Sequence, residues 1–212
     1  TDSTAGRSAN DYYEVLIKES SLADLHGVMT RNFAAALMDE GQQILNRYLK
    51  GDLKAIEIMD NEVGISYSQV ADKLHRAADL LGEKHYFYRK VKANALYFDS
   101  YAVYKLDIPR DSARILDIKY MRQALTLDPN SPHLLLNLAF LPPFDSIDFY
   151  KEKLNELSPN WPIWHYRYAL YYLQIKLQDT AILFFQNAIR LDSTFLPPLV
   201  MMSVVFETLG RH

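Results

Sequence analysis

Ala124-Leu125-Thr126-Leu127-Asp128-Pro129-Asn130 returns as Leu154-Asn155-Glu156-Leu157-Ser158-Pro159-Asn160, and again, shortened, as Ala188-Ile189-Arg190-Leu191-Asp192-Ser193. Pro129 and Pro159 stand 30 residues apart, and Pro159 and Ser193 stand 34 apart. Each copy closes an apolar, helix-compatible run with a small polar residue, and twice a proline follows, which cannot continue a helix. Pro132, Pro162 and Pro197-Pro198 then stand where the next helix opens, a position proline tolerates because a first-turn N–H has no intrahelical partner. A chain that ends one helix and opens another at such a period reads as a helical repeat.

The fullest unit runs from Pro162 to Ser193. Its first helix carries Tyr168-Ala169 and Tyr172, and its second carries Ala181, Phe185 and Ala188. Ala169 and Ala181 are small, as a close crossing of two antiparallel helices requires. Tyr172 and Phe185 fill the space beside the crossing, and Ala188 leaves room for the next repeat. With the 34-residue spacing, these residues resemble the tetratricopeptide repeat (TPR) family over residues 112–212. The resemblance implies an all-α fold: an α-solenoid of antiparallel helix pairs wound into a right-handed superhelix. The unit departs from the family pattern at the inter-helix turn, where Lys176-Leu177-Gln178-Asp179 replaces the usual glycine. Trp164 stands one place before the family's first-turn tryptophan position, which His165 occupies.

The preceding unit is short. Leu135, Leu138 and Ala139 suit a first helix cut by Pro142-Pro143, and Asp145 suits the cap of a second helix bearing Ile147, Tyr150 and Leu154. The unit after it offers Leu199, Met202, Ser203 and Phe206, then an inter-helix turn at Leu209-Gly210-Arg211, and is truncated after its first helix. Its run of apolar residues predicts an open face that a partner or a second copy of the chain would cover.

Upstream the pattern stays helical but loses its motif. Leu22, Leu25, Val28, Met29, Phe33, Leu37, Ile44, Leu45, Tyr48 and Leu49 recur at three- and four-residue steps. A connection over 52–66 follows, then a helix over 67–81 stopped by Gly82. A third run opens near Glu83 and ends near Leu106. A fourth starts from a cap at Asp111-Ser112 and carries Ile115, Ile118, Met121, Ala124 and Leu125. The organisation expected is a disordered leader over 1–10, a degenerate helical region over 11–82 and TPR-like repeats over 83–212. No proline occurs before residue 109, so the punctuated construction belongs to the C-terminal half.

Composition narrows the function. Among 212 residues there is no cysteine, which excludes disulfides, cysteine-ligated metals and a thiol nucleophile. Glycine numbers only 7, too few for a glycine-rich phosphate cradle to be expected. A net charge of -3 gives no reason to expect nucleic acid. No apolar run is long enough to span a membrane. The six histidines lie at 26, 75, 85, 133, 165 and 212, with no ligand-pair spacing. No cofactor, metal site or enzymatic activity is expected, and compartment is not legible.

Aromatics are the marked excess: 15 Tyr, 10 Phe and 2 Trp. The TPR resemblance implies a concave groove for a protein or peptide partner, lined by one face of successive first helices. In that phase the lining is His133, Leu136, Asn137 and Phe140, then Ile163, Tyr166, Arg167, Leu170 and Gln174, then Val200, Met201 and Val204. This surface is mostly apolar, and its tyrosine suits recognition because it adds contact area at little rotamer cost. The alternative weighed beside it is a groove already filled by an N-terminal helix or an adjoining domain. Some family members grip a C-terminal carboxylate. Asn137 and Arg167 fall at two matching positions, and Lys90 and Asn94 match two more in one register of the 84–106 helix, but Ile163 stands where such a clamp needs a lysine. The expected function is a non-catalytic interaction module, or else a scaffolding segment of a larger protein whose catalytic domain lies elsewhere.

Overall fold

A computed structural model describes residues 8–52, 66–141 and 146–208. Residues 1–7 of the expected leader, 53–65 of the expected connection, the Pro142-Pro143 cut with the Asp145 cap, and the Leu209-Gly210-Arg211 turn lie outside those residues. Every regular element among the described residues is helical.

Helix α1 (Ala9–Leu16) opens inside the stretch expected as leader. Ser8 caps it through a reciprocal box with Asp11, which satisfies donors that a helix start leaves unpaired. A 3₁₀ turn (Ser20–Leu25) leads into α2 (His26–Leu49), so the long helix begins four residues later than the Leu22 periodicity predicts. At 24 residues α2 spans about 36 Å. Helix α3 (Tyr67–Leu81) ends at Gly82, whose φ of 75° a side chain would resist. Helix α4 (Tyr88–Ala102) starts five residues after the predicted opening, and a 3₁₀ turn (Val103–Lys105) finishes it. Helix α5 (Arg110–Leu127) opens directly after Pro109, which leaves Asp111 in its first turn instead of at the cap. Then come α6 (Pro132–Ala139), α7 (Ile147–Leu157), α8 (Pro162–Gln174), α9 (Gln178–Leu191) and α10 (Pro197–Thr208).

Packing runs mostly between consecutive helices: α2 on α3, α3 on α4, α4 on α5, α6 on α7, α8 on α9 and α9 on α10. That local order is the arrangement of a helical repeat or solenoid.

The repeated sequence builds one turn three times. The N–H groups of Asp128, Ser158 and Asp192 bond back to the carbonyls of Ala124, Leu154 and Ala188 at 2.9, 2.8 and 3.0 Å. Three residues on, the N–H groups of Ser131, Trp161 and Phe195 bond to the carbonyls of Asp128, Ser158 and Asp192. Ala124, Leu154 and Ala188 are fully buried, and Ser131, Trp161 and Phe195 are buried too. Ala169, Ala181, Phe185 and Ala188 are buried at the α8–α9 crossing as their sizes predict.

Two readings of phase are corrected. Helix α5 buries Ala113, Asp117, Met121 and Ala124, while Ile115 is 68% exposed. Leu25, at the end of the 3₁₀ turn, and Val28 in α2 lie toward solvent, and burial in α2 begins at Ala34. Gly41 permits the closest approach in this region: a Cβ there would meet a Leu74 methyl at 2.9 Å, so α2 and α3 touch backbone to side chain.

Candidate functional site

Helix α2 decides what the inner face can do. It packs on α3 as far as Gly41 and Leu74, and its last residues reach the start of a later helix. Trp161, just before α8, donates its indole N–H to the Leu49 carbonyl at 2.7 Å, across 112 positions of sequence. Tyr48 meets the same indole edge-on at 6.1 Å. Gly51, with φ of 77°, lies so close to Phe195 that a Cβ there would stand 3.3 Å from the ring and 3.9 Å from Ile163. A side chain at this glycine would lift the end of α2 from its seat.

Three of the twelve groove candidates are therefore interior. His133, Leu136 and Ile163 are 5%, 1% and 1% exposed, which corrects their reading as open lining. The His133 ring packs edge-on against Tyr97 at 4.8 Å and sits 3.0 Å from the Ser131 hydroxyl. Burial, with Lys90 nearby, pushes its pKa down to about 3, so the imidazole is neutral at physiological pH. Tyr166 is half-buried against Phe185 and Phe195. Leu170 and Met201 pack on the smaller core around Ala181 and Phe185. Gln174, Val200 and Val204 are exposed. Val200 and Val204 belong to α10, at the end of the sequence of packed helices, and Leu199 is exposed beside them.

Asn137, Phe140 and Arg167 are brought together. They line a cavity of about 160 Å³ with Ser100, Tyr101, Tyr104, Asp117, Met121 and Leu141. The Arg167 guanidinium lies over the Phe140 ring, 5.3 Å from its centroid. Phe140 is itself held edge-on by Tyr168 and Tyr171. Asn137 accepts a 2.8 Å bond from the Tyr101 hydroxyl and donates to the His133 carbonyl and the Tyr97 hydroxyl. Its amide thus fixes the cavity wall and is already engaged within the chain.

The four residues at carboxylate-clamp positions are divided. Lys90 and Asn94 line a second cavity with His133, Gln42, Leu45 and Leu49. Asn137 and Arg167 line the first. Tyr97, bonded to Asn137 and packed on His133, stands between.

Asp117 is the residue the repeat pattern misses. It is 5% exposed, on the apolar stripe of α5. Its Oδ2 accepts from the Tyr104 hydroxyl at 2.7 Å. Burial raises its pKa to about 6, against the lowering effect of that bond and of the neighbouring Ser100 hydroxyl. A sequence signal existed: Ala113, Asp117, Met121 and Ala124 share one helix face at steps of four, four and three, and a carboxylate interrupts it. Tyr104 and Tyr101, from the end of α4, carry no such signal.

Among the described residues no group of three or more metal-ligating side chains comes together, and no helix is long and apolar enough to cross a membrane. No protein-family profile matches the chain, and no curated protein matches it.

Proposed function

We infer that this chain is a non-catalytic, TPR-type helical-repeat module that binds a protein segment over the open part of its inner face. The observation that carries this reading is the division of that face. The end of helix α2 is tied to Trp161 before α8, while Tyr101, Asn137, Phe140 and Arg167 line a cavity further along the first helices. A bound segment lies across this cavity, with Arg167 presenting positive charge and Phe140 presenting apolar surface. The apolar side of α10 extends the interaction surface toward further protein, which suits a scaffolding segment of a larger protein or self-association through that helix.

Copurification from the source cell tests the reading. The full chain is expected to retain a partner that Arg167→Glu loses while its helical circular dichroism stays unchanged. A partner set identical for both proteins overturns the reading.

A further inference from the structure

Asn94 is a polar residue where the fold asks for an apolar one. It lies on the buried side of α4 between Ala93 and Ala95 and is 4% exposed. Its Oδ1 is sealed from bulk water, and no group among the described residues bonds to it. An amide atom buried without a partner costs stability that alanine or leucine would not lose. Asn137 shows the contrast: its amide oxygen accepts from Tyr101, and its amide nitrogen donates to the His133 carbonyl and the Tyr97 hydroxyl. No such bond holds the oxygen of Asn94. The last torsion of an asparagine is soft and two-fold, so this amide is free to turn its edge to the cavity it lines.

That cavity has a volume of about 370 Å³, more than twice the ~150 Å³ that admits a benzene-sized molecule. Leu45, Leu49 and Leu127 give it apolar walls, and Tyr86, 79% exposed, stands at its rim. Gln42, on the α2 side, already donates to Asn46 at 2.9 Å. The charges around it have both signs, Arg89 and Lys90 against Asp128, and His133 is neutral. A carboxylate or an ammonium therefore meets a like charge as well as an opposite one. Neither can pair with both atoms of an amide, because a carboxylate only accepts and an ammonium only donates. A primary carboxamide carries an acceptor and a donor on one edge, so it pairs with the oxygen and the nitrogen of Asn94 together. The match holds whichever way the Asn94 amide is turned. The two methylenes of a glutamine then lie against the leucine walls, where asparagine would bring only one.

We propose that this cavity receives a glutamine side chain of the bound protein segment, its carboxamide paired with the amide of Asn94 and its stem lying against Leu45, Leu49 and Leu127. The assignment rests on the inner face being a protein-binding surface, and it adds a contact beyond Tyr97 to the one around Arg167. It asks for a neutral side chain at the place where a clamp would hold a carboxylate.

The test uses the full chain, ¹⁵N-labelled, titrated with Nα-acetyl-glutamine N-methylamide. Parallel titrations use the glutamate and norleucine analogues, blocked in the same way, and free glutamine. The blocked glutamine is expected to shift the side-chain NH₂ signals of Asn94 saturably. The glutamate and norleucine forms should bind at least about tenfold more weakly, a factor equal to about 1.4 kcal/mol, because each leaves an amide atom of Asn94 unpaired. Asn94→Leu should abolish that discrimination, read from the backbone amides of Tyr86 and Lys90, and its thermal midpoint reports that it is folded. Tyr86→Ala carries the test independently at an exposed position, with an expected weakening of severalfold; unchanged affinity would place the probe elsewhere and overturn the proposal. A glutamate or norleucine form that binds as tightly as the glutamine form overturns it, as does discrimination that survives Asn94→Leu. Free glutamine bound as tightly as the blocked form also overturns it, because the site would then take the free amino acid. If the glutamine probe gives no saturable shift while Arg167→Glu still loses its partner, the glutamine assignment falls and the interaction surface stands.

Discussion

The earlier and later turns of α4, α6 and α8 belong to the same three helices and meet opposite surroundings. At the earlier turns, His133, Trp161 and Ile163 are buried, and the end of α2 is tied to Trp161 by the Leu49 carbonyl. At the later turns, Tyr101, Asn137, Phe140 and Arg167 surround a cavity that contains a buried carboxylate. Consecutive packing treats each helix pair alike, so the difference comes from a contact outside that local order, the one between the end of α2 and Trp161. The closed part is built for stability. The open part gives some stability up: Asp117 sits where an apolar residue would hold the fold better, a trade common at functional sites.

The largest effect is expected at the closed end. Trp161→Ala removes an indole that holds the Leu49 carbonyl and the Tyr48 ring, and should cost about 3–5 kcal/mol in urea unfolding. A cost under about 1 kcal/mol would mean that α2 is not seated there in solution. Gly41→Val tests the same helix at α3, where the added side chain meets Leu74. Overpacking should destabilise by about 1–3 kcal/mol, with most of the loss recovered in Gly41→Val combined with Leu74→Ala.

The open end should respond with the opposite sign. Asp117 binds its proton more tightly folded, with a pKa of about 6, than unfolded, so between about pH 4 and 6 the native state holds more protons. Its contribution to stability therefore falls as pH rises through that window and is level above it. Asp117→Asn should raise stability at pH 7.5 by on the order of 1–2 kcal/mol and flatten that slope, as measured by denaturant unfolding at several pH values. A loss of stability at pH 7.5 would show that the ionised carboxylate is balanced within the fold. The smallest change is expected on the outer face of α5, where Ile115→Ser should stay within about 0.5 kcal/mol because the residue lies in solvent.

The repeated turns were legible because they are local. A small polar residue closing each helix, a proline after it in two of the three copies and small residues at the crossing each act within a few residues, and the three turns and the close crossing recur in the structure. Helix starts near residues 20, 83 and 110 were read less well, since 3₁₀ turns and a proline shifted them without changing the apolar pattern. The face of α5 was misread because isoleucine counts as apolar wherever it points, and Ile115 points outward.

Sequence alone determined the all-α class, the helix order, the placement of the three repeated turns and the grouping of Asn137, Phe140 and Arg167 on one face. Those properties follow from periodicity and short-range sterics. Only the tertiary structure decided that α2 closes part of that face and that Asp117, from a second helix of a pair, faces the rest of it. The contact between Leu49 and Trp161 joins residues 112 positions apart. No local pattern encodes such a contact, because its energy comes from surfaces that meet only after the array has formed.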